Sequence, residues 1–175
     1  MTAVPDPLNF DWVAPGLAVG GSFPAQAIQS LARDHAVAAV IDARAENVDD
    51  AGLMARHSIA FLHLPTDDTF ALADTDLDAG VVFAVRHLDA GQRVLIHCEH
   101  GIGRSALLAL CVLVARGTAP LDALETMKSA RAKVSPSPHQ FAGWLRWLAR
   151  RPSPAWEAPT FEAFAAIAYR HLATS

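Results

Sequence analysis

Apolar residues in this chain fall into short, nearly unbroken runs, separated by longer segments where they recur every three or four positions. The runs at 17–19, 37–41, 59–64 and 94–96 are rich in Val, Ile, Leu and Ala and read as strands. Continuous rather than alternating apolar character marks strands covered on both faces, the signature of a parallel sheet. Between the runs the 3.6-residue period predicts helices at 24–35, with Pro24 acceptable in the first turn, at 49–57, and at 75–88 before Gly91. Three more helices are expected at 105–115, 120–131 and 137–150, and residues 65–74 read as a polar, acidic loop. Strands alternating with helices predict one α/β domain. Its core is a central, mainly parallel sheet of about four to five strands with helices on both faces. The most hydrophobic stretch, 106–115, is too short to span a bilayer and is expected to be a helix buried on all sides. Residues 1–150 form the expected domain. Residues 151–175 follow as a Pro-rich linker, Arg151-Pro152-Ser153-Pro154, and a C-terminal amphipathic helix at 160–172 packed on that domain.

In sheets of this kind ligands bind beyond the carboxyl ends of the strands. Three loops therefore share one rim: Asp42-Ala43-Arg44, the acidic segment 65–69, and His97-Cys98-Glu99-His100-Gly101-Ile102-Gly103-Arg104-Ser105. The last lies between a strand and a strongly helical run. Such a junction aims successive backbone N–H groups and the positive end of a helix dipole at one spot. An anion belongs there, and a helix N-terminus favours thiolate over thiol. The planar fork of Arg104 can grip two oxygens of a phosphate. A small buried cysteine would explain Cys98 alone, but not Gly101, Gly103, Arg104 and Ser105 beside it. Cys111, surrounded by apolar neighbours, reads as core.

A sulfur nucleophile that expels an alkoxide or phenoxide needs a proton donor over the cradle. Asp67 and Asp68 stand on the correct rim, and the residues themselves leave the choice between them open. His97 is expected to hydrogen-bond around the loop and help hold the thiolate. Ser105 is placed to donate its hydroxyl to the sulfur. Metal binding is not expected. His97, Cys98 and His100 share one tight loop and cannot readily converge on an ion, and no second Cys/His pair has zinc spacing.

Composition narrows the setting. The chain has 175 residues, 52% of them hydrophobic, enough for one compact core. A net charge of −4 argues against nucleic acid or an anionic membrane as partner. Two cysteines make no disulfide framework, and the N-terminal residues lack a signal-peptide pattern. A cytoplasmic, reducing location is expected.

The motif His97-Cys98-x5-Arg104-Ser105 resembles the signature loop of cysteine-dependent protein phosphatases, specifically the small atypical dual-specificity group. The likeness runs through Asn9 to Ala18, Val40-Ile41-Asp42-Ala43-Arg44, Leu64-Pro65-Thr66-Asp67-Asp68 and Arg131 to Gln140, covering about residues 8–150. The resemblance implies a dual-specificity-phosphatase-like catalytic domain at 1–150. It implies Cys98 as nucleophile, and Arg104 with loop residues Glu99, His100, Gly101, Ile102 and Gly103 as phosphate ligands. It also implies Asp68 as acid, Ser105 assisting thiolate departure, His97 and Asp67 in support, and Gln140 near the site. It implies no metal and no cofactor. Expected substrates are phosphorylated proteins, on tyrosine and also serine or threonine, or small phosphomonoesters. Glu99, in a loop without lysine, speaks against a polyphosphorylated lipid headgroup. Sulfur transfer, arsenate reduction and non-catalytic phosphoprotein binding are the competing uses of such a loop. Arsenate reduction needs a resolving cysteine, for which Cys111 reads as too buried.

Overall fold

The computed structural model describes residues 8–151 and 156–173. The readings made above for the N-terminal residues before Leu8 and for Pro152-Ser153-Pro154 lie outside them. Five strands form one sheet in the order β1-β2-β5-β3-β4. They are β1 (Phe10–Ala14), β2 (Leu17–Gly20), β3 (Val37–Arg44), β4 (Ala60–Thr66) and β5 (Arg93–His97). Only β1 runs antiparallel to its neighbour; the pairs β2–β5, β5–β3 and β3–β4 are parallel.

Two strands extend past their expected ends. The apolar run at 37–41 stops where charge begins, yet β3 continues through Asp42, Ala43 and Arg44, all buried. Asp42 and Arg44 therefore belong to the strand and not to a rim loop. They neutralise each other inside, with Arg44 Nε and Nη2 each 3.0 Å from an Asp42 oxygen. β4 runs on through Pro65 and Thr66, which takes these two residues out of the acidic loop. Proline is tolerated there because β4 is an edge strand and its missing N–H leaves no ladder bond broken.

The helices are α1 (Ile28–Arg33), α2 (Ala51–Arg56), α3 (Asp74–Asp89), α4 (Arg104–Ala115), α5 (Pro120–Ala130), α6 (Pro138–Ala149) and α7 (Phe161–Ala168). The helix expected at 24–35 divides into a 3₁₀ turn, Ala25–Ala27, and α1. Side chains sort by strand period across the two faces, except at the start of β3, where a register shift between Val37 and Ala39 puts Val37 on the face of Val40. Ala18, Val37, Val40 and Leu95 meet Ile28, Leu31 and Met54 of α1 and α2. Leu17, Val19, Ala39, Ile41, Val94 and Ile96 face the larger layer built from α3 to α7. α4 lies at the centre of that layer, buried from Arg104 through Val114. α7 is capped by Thr160, whose hydroxyl accepts from Ala163 N. It buries Phe164 against Phe141, at 4.6 Å between ring centroids, and beside Trp144.

Candidate active site

β5 lies between β2 and β3 and delivers its C-terminal end to the middle of the rim; Cys98 follows directly, and α4 starts at Arg104. The intervening loop is held through its carbonyls. Those of Glu99, His100, Gly101 and Ile102 accept, in turn, from Ser22 N, Arg131 Nη2, Arg131 Nε and Ser135 N, at 2.8–3.1 Å. In a trans peptide the N–H of one residue points opposite the C=O of the residue before it. Four consecutive amides, of residues 100–103, are thereby turned away from these partners, and three of the residues that carry them, His100, Ile102 and Gly103, line the cavity beside Cys98. Gly101 has φ +66, and a side chain there would strike the Gly20 backbone and the Arg131 guanidinium. Only glycine fits at this position.

The cavity has a volume of about 200 Å³ and is lined by Asp68, Thr69, Cys98, His100, Ile102, Gly103, Ser135, Ser137 and Gln140. Cys98 is 3% exposed at its floor. Its sulfur lies 3.2 Å from Ser105 Oγ. Asp68 reaches the rim, 65% exposed, with Oδ1 at 3.6 Å from Arg104 Nη2. Asp67 does not line the cavity, so the structure brings one of the two candidate carboxylates to it and leaves the other outside. Gln140 both lines the cavity and packs over Gly103.

Arg104 is 1% exposed, although it carries a full charge. Glu46 grips its two terminal nitrogens at 2.7 and 2.6 Å, and Nη1 also donates to the Thr66 carbonyl at 2.8 Å. Burial works against the charged guanidinium. The Glu46 hydrogen bond, with the nearby Cys98, Glu46 and Asp68, outweighs it and raises the Arg104 pKa above its ordinary value. In return Arg104 pulls Glu46 down to about 2. Arg104 Nε is buried and has no hydrogen-bond partner among the described residues. A buried guanidinium N–H left unmet, on the residue that ends this loop, is the feature expected of a site for an oxyanion.

A family profile described as dual specificity phosphatase, catalytic domain, matches residues 21–150. The chain belongs to the dual specificity phosphatases. Over 58 residues it is 44% identical to dual specificity protein phosphatase 1 of Mus musculus, a stretch that makes up 33% of this chain and only 16% of that relative. Tk-PTP in its active form shares the fold, with a TM-score of 0.74 and 21% identity over 82% of this chain and 98% of that one. PTPMT1 in complex with PI(5)P does so with a TM-score of 0.73 and 23% identity over 79% and 93%.

Behind the loop that carries Cys98 lies a polar cluster that the sequence reading touched only at its edges. Arg44 donates to Asp42, to Asp49 at 3.0 Å and to Glu99 at 3.2 Å, while Ser22 Oγ donates to the other Glu99 oxygen. Glu99 therefore turns its side chain away from the cavity, and of its expected role as a phosphate ligand only the backbone is available. His97 Nε2 lies 2.6 Å from Asp49 Oδ2 and Nδ1 lies 3.3 Å from the Cys98 carbonyl. Its ring is bonded to the loop's main chain, not to the sulfur. Asp42, Asp49 and His97 offer ligand atoms within 4.8 Å of one another, a spacing that would suit a metal ion. Arg44 already supplies the positive charge there. Burial disfavours charge on Asp42, but its bonds to Arg44 and the nearby His97 hold its pKa below the ordinary carboxylate value. Asp49 and Glu46 were missed because a lone acidic residue between a strand and a short helix carries no periodic or motif signal.

Proposed function

We propose that this chain hydrolyses phosphomonoesters, with phosphotyrosine, phosphoserine and phosphothreonine in proteins as the substrate class, through a cysteinyl-phosphate intermediate. One observation carries the reading: Cys98, His100, Ile102 and Gly103 of one loop line a single small cavity together with Asp68, and Arg104, which ends that loop and opens α4, keeps a buried Nε without a hydrogen-bond partner among the described residues. The amides and Arg104 bind the three non-bridging oxygens and stabilise the charge that develops on them. The Cys98 thiolate attacks phosphorus as the bond to the leaving oxygen breaks, and Asp68 passes its proton to that oxygen. In the second step Asp68 takes a proton from water, the water oxygen bonds to phosphorus, and the P–S bond breaks. Ser105 Oγ, at 3.2 Å, donates to the departing sulfur. Glu46 holds Arg104 extended before substrate arrives.

The lack of lysine in the loop favours a singly phosphorylated group over a polyphosphorylated headgroup, while the Glu99 carboxylate, held by Arg44 and Ser22, takes no part in that choice. A resolving-cysteine reaction is disfavoured, since Cys111 is fully buried in α4 and burial pushes its thiol well above the ordinary value. Among the described residues no helix is long and apolar enough to cross a membrane. The nucleophile's chemistry suits a reducing compartment such as the cytoplasm. Hydrolysis of p-nitrophenyl phosphate tests the reading. Cys98→Ser abolishes turnover, and Asp68→Asn lowers kcat on phenyl phosphate by roughly 10²-fold or more. Full activity in Cys98→Ser overturns it.

A further inference from the structure

The matched family segment ends at residue 150, yet the helix beyond it reaches back toward the active site. The connection between α5 and α6 is bonded to both working loops. On the nucleophile side Arg131 and Ser135 N hold the carbonyls of His100, Gly101 and Ile102. On the acid side Ser137 Oγ donates to the Thr69 carbonyl at 2.6 Å and Gln140 Nε2 to the Phe70 carbonyl at 3.1 Å. Ala71 N adds a bond to His139 Nδ1 at 2.9 Å. The connection is a bracket that sets the distance between the two loops.

The outer side of the bracket is clasped by the C-terminal segment. Tyr169 Oη donates to the Pro136 carbonyl at 2.6 Å. The ammonium of Lys128, 2% exposed, donates to the carbonyls of Val134 at 2.6 Å and Ala168 at 2.7 Å. α7 itself is anchored by Phe164 and Ala168, both fully buried. We infer that α7 and Tyr169 position the general acid: by fixing the 134–137 bracket from behind, they hold Asp68 at the height where a leaving oxygen sits. The two loops depend on the bracket unequally. The nucleophile loop is also secured by β5, α4, Ser22 and Arg44. The acid loop carries its key carboxylate on an exposed tip, and the bonds from Ser137, Gln140 and His139 are its ties to α6. A loosened bracket therefore misplaces the proton donor before it disturbs the phosphate cradle.

This inference rests on the acid role proposed for Asp68, and the test separates the two. Full-length Tyr169→Phe and Lys128→Met are assayed on phenyl phosphate, whose leaving group has a pKa of roughly 10, and on p-nitrophenyl phosphate, whose leaving group needs little protonation. Inhibition by vanadate reads the cradle. Tyr169→Phe is expected to lower kcat on phenyl phosphate about three- to tenfold, a fraction of a general acid's full contribution. On p-nitrophenyl phosphate the fall is less than about twofold and the vanadate affinity is unchanged. In an Asp68→Ala background Tyr169→Phe then costs nothing further on either substrate, because the step it serves is already lost. Equal falls on both substrates, or a full additional loss in the Asp68→Ala background, overturn the positioning role and indicate a general structural one. If Asp68→Ala itself leaves the leaving-group preference of the wild type intact, the acid assignment fails and this inference falls with it.

Discussion

Ser105 occupies the first turn of α4 with no solvent exposure, and its hydroxyl has the Cys98 sulfur as hydrogen-bond neighbour. A bond to an ionised sulfur is worth about 1.5–3 kcal/mol, which in a rate is roughly tenfold to a hundredfold. Ser105→Ala should therefore slow breakdown of the phosphoenzyme by that factor and spare its formation. Stopped-flow release of p-nitrophenol then shows a burst near one equivalent before a slow steady state; a fall without a burst would place Ser105 in the first step. The residues of the loop that lines the cavity were legible because glycines, Cys98 and Arg104 form a dense local pattern. The residues alone left Asp67 and Asp68 open; the family resemblance implied Asp68, and the cavity lining agrees with that choice. Glu46 and Asp49 were hidden, and so were the partners of Arg44. The pairs Arg44–Glu99, Asp49–His97 and Glu46–Arg104 join residues 48 to 58 positions apart, and spacing on that scale leaves no trace in a local pattern.

Elements announced themselves in proportion to how apolar they are. β2, β3 and β5 are largely buried and β4 is an apolar, half-buried run, and all four were readable, whereas β1 at the sheet edge mixes Phe10, Asp11 and Trp12 with only Val13 buried. Its pairing with β2 depends on the Pro15-Gly16 turn, where Gly16 adopts φ +76. The ends of β3 and β4 were misjudged because charge and proline were taken as stop signals, and tertiary neighbours overrode both. α7 is a helix of eight residues that cannot be stable alone. Its place depends on Phe164 in the aromatic cluster with Phe141, Phe161 and Tyr169. Phe164→Ala should cost on the order of 3–5 kcal/mol in denaturant unfolding at an unchanged slope. A loss below about 1 kcal/mol would mean that α7 contributes little to the folded state.

Across the whole molecule, the rim gathers four acidic groups, Glu46, Asp49, Asp68 and Glu99, around two buried arginines. Such an arrangement links folding to pH. Glu46 has its pKa lowered to about 2 from an ordinary 4.5, so it binds protons more weakly in the folded chain than in the unfolded one. Its contribution to stability is complete above pH 4.5 and drains away as pH falls from there toward 2. Urea midpoints measured from pH 7 to pH 2.5 should fall less steeply for Glu46→Gln than for the parent; identical slopes would show that the pair is not coupled to folding. The way the signature loop is fastened has an evolutionary corollary. Its curvature is imposed on the main chain, by donors that seize four carbonyls in succession, so the side chains of His100 and Ile102 decorate the bowl without shaping it. Those two positions are open to drift or to combinatorial libraries that retune substrate choice, while the chemical step beneath them is inherited unchanged.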